Sequence, residues 1–209
     1  PNNVAHLVKK FEKAGIAGIC IEDKTFPKEN SLFEDGKHDM ISKRDFVAKL
    51  VAAKNAKKNR DFIIIGRTEA LIADLGVEEA LNRANAYEKA GADIIFVHSR
   101  KKAPDEIFEF FKQWKGKTPL MAVPTAFPTV TLDELKSRGV GMIVFAHQTT
   151  LAAFAAISDV VKQMSKIKSL SDLKIKLASM DDLFKLQGMH KIRDHESFIE
   201  EEIKKLDLN

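Results

Sequence analysis

Three stretches of the chain share one layout, and that repeat restricts the fold more than any other feature. "EKAGIAGICIED" (12–23), "EKAGADIIFVHS" (88–99) and "KSRGVGMIVFAH" (136–147) each pass from a helical end through a glycine and a few small residues into an apolar run that closes on polar groups. Gly15, Gly91 and Gly139 sit where a helix C-terminus needs the left-handed conformation, which is cheapest for glycine. The runs that follow are rich in Ile and Val and apolar on both faces, the pattern of a parallel strand buried between layers. "FIIIG" (62–66) and "LMAV" (120–123) are two more strands of this kind, making five. Between them lie helical patterns: "VEEALNRANAYEKAG" (77–91), apolar at three- and four-residue intervals, and "PDEIFEFFKQWKG" (104–116), opening on proline. Strand and helix alternate in the manner of a parallel α/β fold.

Two architectures fit that alternation, an open doubly wound sheet and a (β/α)8 TIM-type barrel. A doubly wound sheet favours a glycine-rich phosphate turn, and neither GxGxxG nor GxxxxGK[ST] occurs in the sequence. A barrel places its chemistry at the C-terminal ends of several strands. Here those ends carry Glu22 with Asp23, Arg67 with Glu69, His98 with Ser99, Pro124 with Thr125, and His147 with Gln148, all expected at one mouth. The expectation is therefore a single α/β barrel domain over 1–209 with about five βα units, against the eight strands of a full barrel. After the last strand, 149–168 and 179–189 read as helices, and the charged stretch 200–205 reads as a solvated helix or arm.

Charge and cysteine narrow the partners. With 34 Lys+Arg against 30 Asp+Glu, and the basic residues scattered along helices, nothing suggests nucleic acid as a ligand. The single cysteine, Cys20, lies within a strand and reads as inert core; alone it supports no intrachain disulfide. No stretch approaches the roughly 20 apolar residues of a membrane span, and a cytoplasmic location is expected.

The loop after the first strand, "EDKTFPKENS" (22–31), has no helical or strand periodicity. Glu22 offers an oxygen to a hard divalent cation, directly or through water. Lys24 and Lys28 offer charge to a phosphate or carboxylate, and Asn30, Ser31 and nearby amides offer neutral donors. Arg67 follows a buried run directly and needs an anionic partner to offset its desolvation. His98 ends another such run and reads either as a satisfied core residue or as a ligand-binding group.

These residues also carry a family resemblance. "EDKTFPKENS" is similar to the EDK-x5-NS loop signature of the phosphoenolpyruvate mutase family, within the isocitrate lyase/phosphoenolpyruvate mutase superfamily, and "GRTEAL" and "GADIIFVHSRKK" resemble further segments of it. The resemblance implies an α/β barrel working with Mg²⁺, in which a phosphoryl group moves between oxygen and carbon as phosphoenolpyruvate and phosphonopyruvate interconvert, the C–P bond-forming step of phosphonate biosynthesis. It implies a homo-oligomer, dimer or tetramer, with C-terminal helices (149–209) swapped between subunits, and a gating loop over 23–41. Carried over by residue, Glu22 lies in the Mg²⁺ shell through water, Arg67 and His98 contact the phosphoryl end, and Lys28 stabilises developing charge. Asn30, Ser31 and Leu32 help bind substrate, and Glu69 orients Arg67 or neighbours the metal shell. Within the superfamily, Asn30 favours a mutase over a phosphonopyruvate hydrolase, and the absence of a loop cysteine argues against a lyase.

The family's first three strands carry a Trp-Ser-Gly segment, a catalytic aspartate and an Asp-x-Asp pair. None occurs here: the only tryptophan, Trp114, falls in a helical pattern. The five strands therefore correspond to strands 4 to 8, and the N-terminal part of the barrel is expected upstream of Pro1. Residues near His147 depart from the family segment, so that histidine is assigned no catalytic role. The alternatives to a mutase are a phosphonopyruvate hydrolase and a truncated, non-catalytic module for ligand binding or assembly.

Overall fold

The computed structural model describes residues 1–33 and 36–206, so positions 34 and 35 of the expected gating loop and 207–209 of the C-terminal segment lie outside the description. Contacts group the chain into two units, Pro1–Gln148 and Thr149–Asn209. In the first, strands β1 (Gly18–Glu22), β2 (Ile63–Thr68), β3 (Ile94–Val97), β4 (Leu120–Ala122) and β5 (Val140–Ile143) alternate with helices α1 (Asn2–Lys13), α2 (Lys43–Ala56), α3 (Gly76–Ala90), α4 (Asp105–Gln113) and α5 (Leu132–Ser137). All five strands read from the sequence are present.

The strands form one parallel sheet in the order β1-β2-β3-β4-β5. That order lacks the reversal of a doubly wound sheet. A doubly wound sheet reverses its strand order so that helices cover both faces, whereas sequential parallel strands joined by crossovers of one hand send every connecting helix to the same face. Gly15, Gly91 and Gly139 have φ values of 76°, 93° and 87°, the left-handed turns expected after α1, α3 and α5.

Each strand divides its side chains between two cores, as the period of two requires. Ile19, Ile64, Ile95, Val97, Leu120, Ala122 and Val140 join Val8, Phe46, Leu50, Tyr87, Phe110 and Leu135 of the helices in the larger core. The alternate positions Ile94, Phe96, Met121 and Val123, with Ile63, Ile65 and Val144, form a smaller cluster on the other face. The functional groups lie on this second face.

The second unit is helical beyond the start of α6 (Gln148–Met164), with α7 (Met180–Leu186) and α8 (Met189–Lys205). Ser179 begins α7 with a capping box, its hydroxyl accepting from the Asp182 amide while the Asp182 carboxylate accepts from the Ser179 amide. The helix expected over 179–189 is thus two, parted by Gly188 at φ 70°. The charged stretch 200–205 is exposed helix, as expected. Among the described residues no helix is long and apolar enough to cross a membrane.

Gly18 opens β1 opposite Ile63, and a Cβ there would lie 2.4 Å from the Ile63 carbonyl oxygen. Gly18→Ala must push the first rung of the β1/β2 ladder apart, at about 1–3 kcal/mol. Urea denaturation should show that loss; unchanged stability would mean the ladder shifts without strain.

Candidate active site

The expected gating loop leaves the end of β1 and returns ahead of α2 through a narrow neck. Lys24 bridges antiparallel to Met40, the Thr25 amide donates to the Asp39 carbonyl at 2.9 Å, and the Ile41 amide donates to the Asp23 carbonyl at 2.9 Å. Lys24 does not reach the cleft. It is buried, its Nζ donating to the Glu29 carbonyl at 2.7 Å and lying 3.3 Å from His38 Nδ1, so the anion-binding charge expected of it serves the loop's own backbone. A buried ammonium needs such acceptors close by, and the adjacent carbonyl provides one.

Arg67 organises the floor. The register of β1 on β2 sets it opposite Glu22, with Nε 3.4 Å from the Glu22 carboxylate and 2.6 Å from Glu69 Oε1. Its guanidinium carbon lies 4.7 Å from the centre of the Phe96 ring, a cation–π contact, and Nη2 donates to Ser31 Oγ at 3.3 Å. Ser31 also donates to Glu69 Oε2, so Glu69 grips the arginine with one oxygen and the loop with the other. Burial works to raise the Glu69 pKa, but the charge and hydrogen bond of Arg67, with the Ser31 hydroxyl, outweigh it and hold the carboxyl below its ordinary range. The partner that the desolvated arginine needs is therefore Glu69 together with Glu22.

A cleft of about 780 Å³ opens above this floor, lined by Glu22, Lys28, Asn30, Ser31, Leu32, Arg67 and His98 among others. All seven residues expected at the site thus border one space. Lys28 Nζ lies 2.6 Å from Glu22 Oε1, and the Asn30 side chain accepts from the Leu32 amide at 2.9 Å, shaping the loop tip. Burial and the nearby charge of Arg67 push the His98 pKa down to about 4, against weaker opposite pulls from Glu69 and Glu22. His98 is a neutral ring at pH 7, able to donate from one nitrogen and accept at the other.

Glu69 is fully buried behind Arg67 and does not line the cleft, which fits the orienting part of its expected role. Cys20 corrects the sequence reading: it is exposed on the cleft face of β1, because Ile19 and Ile21 take the alternate positions toward the helices. Desolvation by the cleft walls, the largest effect on the thiol, raises it to about 11, so it stays protonated. Arg100 and Lys102, to which the sequence reading gave no role, also line the cleft, as do Thr125 and His147, two of the polar strand-end residues named above. The signal for the first two was their place two and four residues beyond His98.

Among the described residues no group of three or more His, Cys, Asp or Glu side chains could hold a metal ion. Mg²⁺ keeps several waters and is commonly bound through one or two carboxylates plus substrate oxygens. Glu22, a carboxylate facing the cleft, fits an outer place in such a shell.

Residues 1–165 match the family model described as phosphoenolpyruvate phosphomutase. The chain belongs to that family. It is 42% identical to the phosphoenolpyruvate phosphomutase of Tetrahymena pyriformis over 92% of its length and 64% of that protein's, and 41% identical to the phosphonopyruvate hydrolase of a Variovorax species over 91% and 66%. Among solved structures it resembles a phosphoenolpyruvate phosphomutase from Streptomyces platensis subsp. rosaceus, with a TM-score of 0.90 and 37% identity over 94% of this chain and 68% of that one. A phosphonopyruvate hydrolase in complex with oxalate and Mg²⁺ follows at TM-score 0.85 and 39% identity, over 93% and 67%. The chain spans under two thirds of the length of these curated relatives. Sequence and structure thus agree on the superfamily, while mutase and hydrolase stand equally near.

The His98 ring carries a pH signature. Its folded-state value of about 4 lies below the ordinary 6.5, so its contribution to stability is complete above pH 6.5 and is lost as pH falls through 4. In His98→Asn the drop in melting temperature between pH 7 and pH 4.5 should be smaller than in the unsubstituted chain. Equal drops would show a ring that titrates as it does in solvent.

Proposed function

We propose that this chain supplies the cleft of a phosphoenolpyruvate mutase, an isomerase that interconverts phosphonopyruvate and phosphoenolpyruvate within an α/β barrel. The carrying observation is that Lys28, Asn30, Ser31, Leu32, Arg67 and His98 border a single cleft at the C-terminal ends of parallel strands, where such enzymes place their chemistry. From phosphonopyruvate to phosphoenolpyruvate, the C–P bond breaks and its electron pair passes into the enolate of pyruvate. The enolate oxygen then takes the phosphoryl group, with no water consumed.

Arg67, fixed in place by Glu69 and Phe96, presents its free donor edge to the phosphoryl oxygens. Neutral His98 donates to them without adding charge that the leaving group would have to shed. Lys28 offsets the charge that spreads over the moving group, and Asn30, Ser31 and Leu32 cover it against water. Mg²⁺, when bound, would stabilise the enolate and carboxylate oxygens, with Glu22 holding it through water.

Phosphonopyruvate hydrolysis is the second reading, favoured by the 41% identity to a hydrolase. There water takes the phosphoryl group and the enolate carbon takes a proton, leaving pyruvate and inorganic phosphate. Phosphorus NMR of the chain with phosphonopyruvate and Mg²⁺ separates the two: phosphoenolpyruvate as first product supports the mutase, inorganic phosphate as first product the hydrolase. An unchanged phosphonate signal would count against both.

Assembly is part of the proposal. Phe154, Ile157, Val161 and Met164 recur at intervals of three and four along α6 with exposures of 52–70%, a stripe that a second copy of the chain would cover. In whichever reaction is observed, Arg67→Ala should lower turnover by about 100-fold or more. Near-normal turnover in that variant would remove Arg67 from the site.

A further inference from the structure

Behind the cleft, on the helix side of the sheet, lies a polar cluster that no part of the proposed chemistry uses. Asp23 is 0% exposed. Its Oδ2 accepts from the Tyr87 hydroxyl at 2.5 Å and from Arg83 Nη1 at 3.3 Å, and its Oδ1 accepts from the Glu69 amide at 2.9 Å. Arg83 and Tyr87 are themselves buried on α3, four residues apart and so on one face of it. Neither lines the cleft. Arg83 is tied down further by Nε to Glu79 at 2.7 Å, and Tyr87 by the Phe46 ring at 4.5 Å.

Two features make this more than a satisfied buried charge. First, Arg83 Nη1 also donates to the Ile41 carbonyl at 3.1 Å, while the Ile41 amide donates to the Asp23 carbonyl. One guanidinium therefore holds both sides of the loop neck. Second, Asp23 divides its oxygens, one toward α3 and the other toward the backbone of Glu69, whose carboxylate carries Arg67 and Ser31. A volume-matched apolar filling of the same space would satisfy packing but would not orient that carboxylate.

We propose that Arg83 and Tyr87 are positioning residues of the cleft: by fixing Asp23 they set the place of Glu69, and through it Arg67 and Ser31, and they clamp the neck of the 23–41 loop. The neck of the loop is thereby a fixed base. Helix α3, which contributes no group to the cleft, governs its geometry from behind.

The test uses the full chain with Tyr87→Phe and Arg83→Met. Hydrogen exchange is followed at the Ile41 and Glu69 amides, which donate to Asp23, and at the Ile95 amide, which donates to Pro119 in the sheet interior. A second readout is the affinity for oxalate in the presence of Mg²⁺. Exchange at Ile41 and Glu69 should rise about 10-fold or more with Ile95 unchanged, and oxalate affinity should fall about 10-fold, as when a group that orients a ligand is removed. Exchange at the neck within twofold of the unsubstituted chain overturns the proposal. So does an equal rise at Ile95, which marks general loss of stability, and so does full oxalate affinity alongside a loosened neck.

Only the oxalate readout rests on the function proposed above. A chain that binds no oxalate before substitution sinks that reading while the exchange readout still decides this one. Where Arg83→Met fails to fold, Tyr87→Phe, which removes a single oxygen, decides alone.

Discussion

The register of β1 against β2 is the constraint on which the cleft depends. With Gly18 paired to Ile63 and each following residue to the next, Glu22 falls opposite Arg67, and one step further Asp23 reaches the Glu69 backbone. Successive strand residues face opposite sides, so Glu22 and Arg67 enter the cleft while Asp23 turns toward α3. A slip of β1 by one residue would reverse its side chains, sending Glu22 into the helix-side core and Asp23 into the cleft. The apolar residue Ile19 enforces the register, because the same slip would turn it out of the helix-side core.

Given that register, the electrostatics follow from desolvation. Arg67 enters from a buried strand and is matched by two carboxylates, so its field above the floor is partly cancelled before any ligand arrives. Other cationic groups line the cleft outside its floor: Lys28 at 2.6 Å from Glu22, Arg100 at 2.9 Å from Asp74, and Lys102. They lie on two connecting segments, after β1 and after β3. His98, neutral between them, adds hydrogen-bonding capacity without adding to the positive charge.

Most of the fold was legible in the sequence because it is written in periodicity. Each strand carries its own apolar run and several are preceded by a helix-ending glycine, so the five strands, their direction and their polar ends follow from local pattern. The candidate site was legible where a polar residue ends such a run, as at Glu22, Arg67 and His98. What was not legible depends on which way a side chain turns within a loop. Lys24 and Lys28 look alike in the sequence, yet one is buried against the Glu29 carbonyl and the other faces the cleft. Cys20 was misread because an apolar run on both faces does not mark which face is closed by helices and which opens to the cleft. The Asp23 cluster was invisible for another reason: its members are separated by 60 and 64 positions, and only the fold brings them together.

Mutase and hydrolase relatives at almost equal identity fit this architecture for a chemical reason. Both reactions begin with the same C–P cleavage and place the same demand on the groups that hold the phosphoryl oxygens. On the reading proposed above, Arg67, His98 and Glu22 would serve either outcome without distinguishing them. The difference lies in what accepts the phosphoryl group next, and that is a matter of whether water reaches it. The wall formed by Phe96, Met121, Val123 and Val144 is apolar and offers water no hydrogen-bond partner, so it excludes water in either case. The opposite side is the loop carrying Lys28, Asn30, Ser31 and Leu32, whose polar groups could orient a water as readily as a substrate oxygen. Asn30 accepts from the Leu32 amide on its side-chain oxygen, and Ser31 donates to Glu69, which ties the Ser31 hydroxyl into the support of Arg67. On the reading proposed above, the choice between isomerisation and hydrolysis would turn on whether this loop admits water to the phosphoryl group.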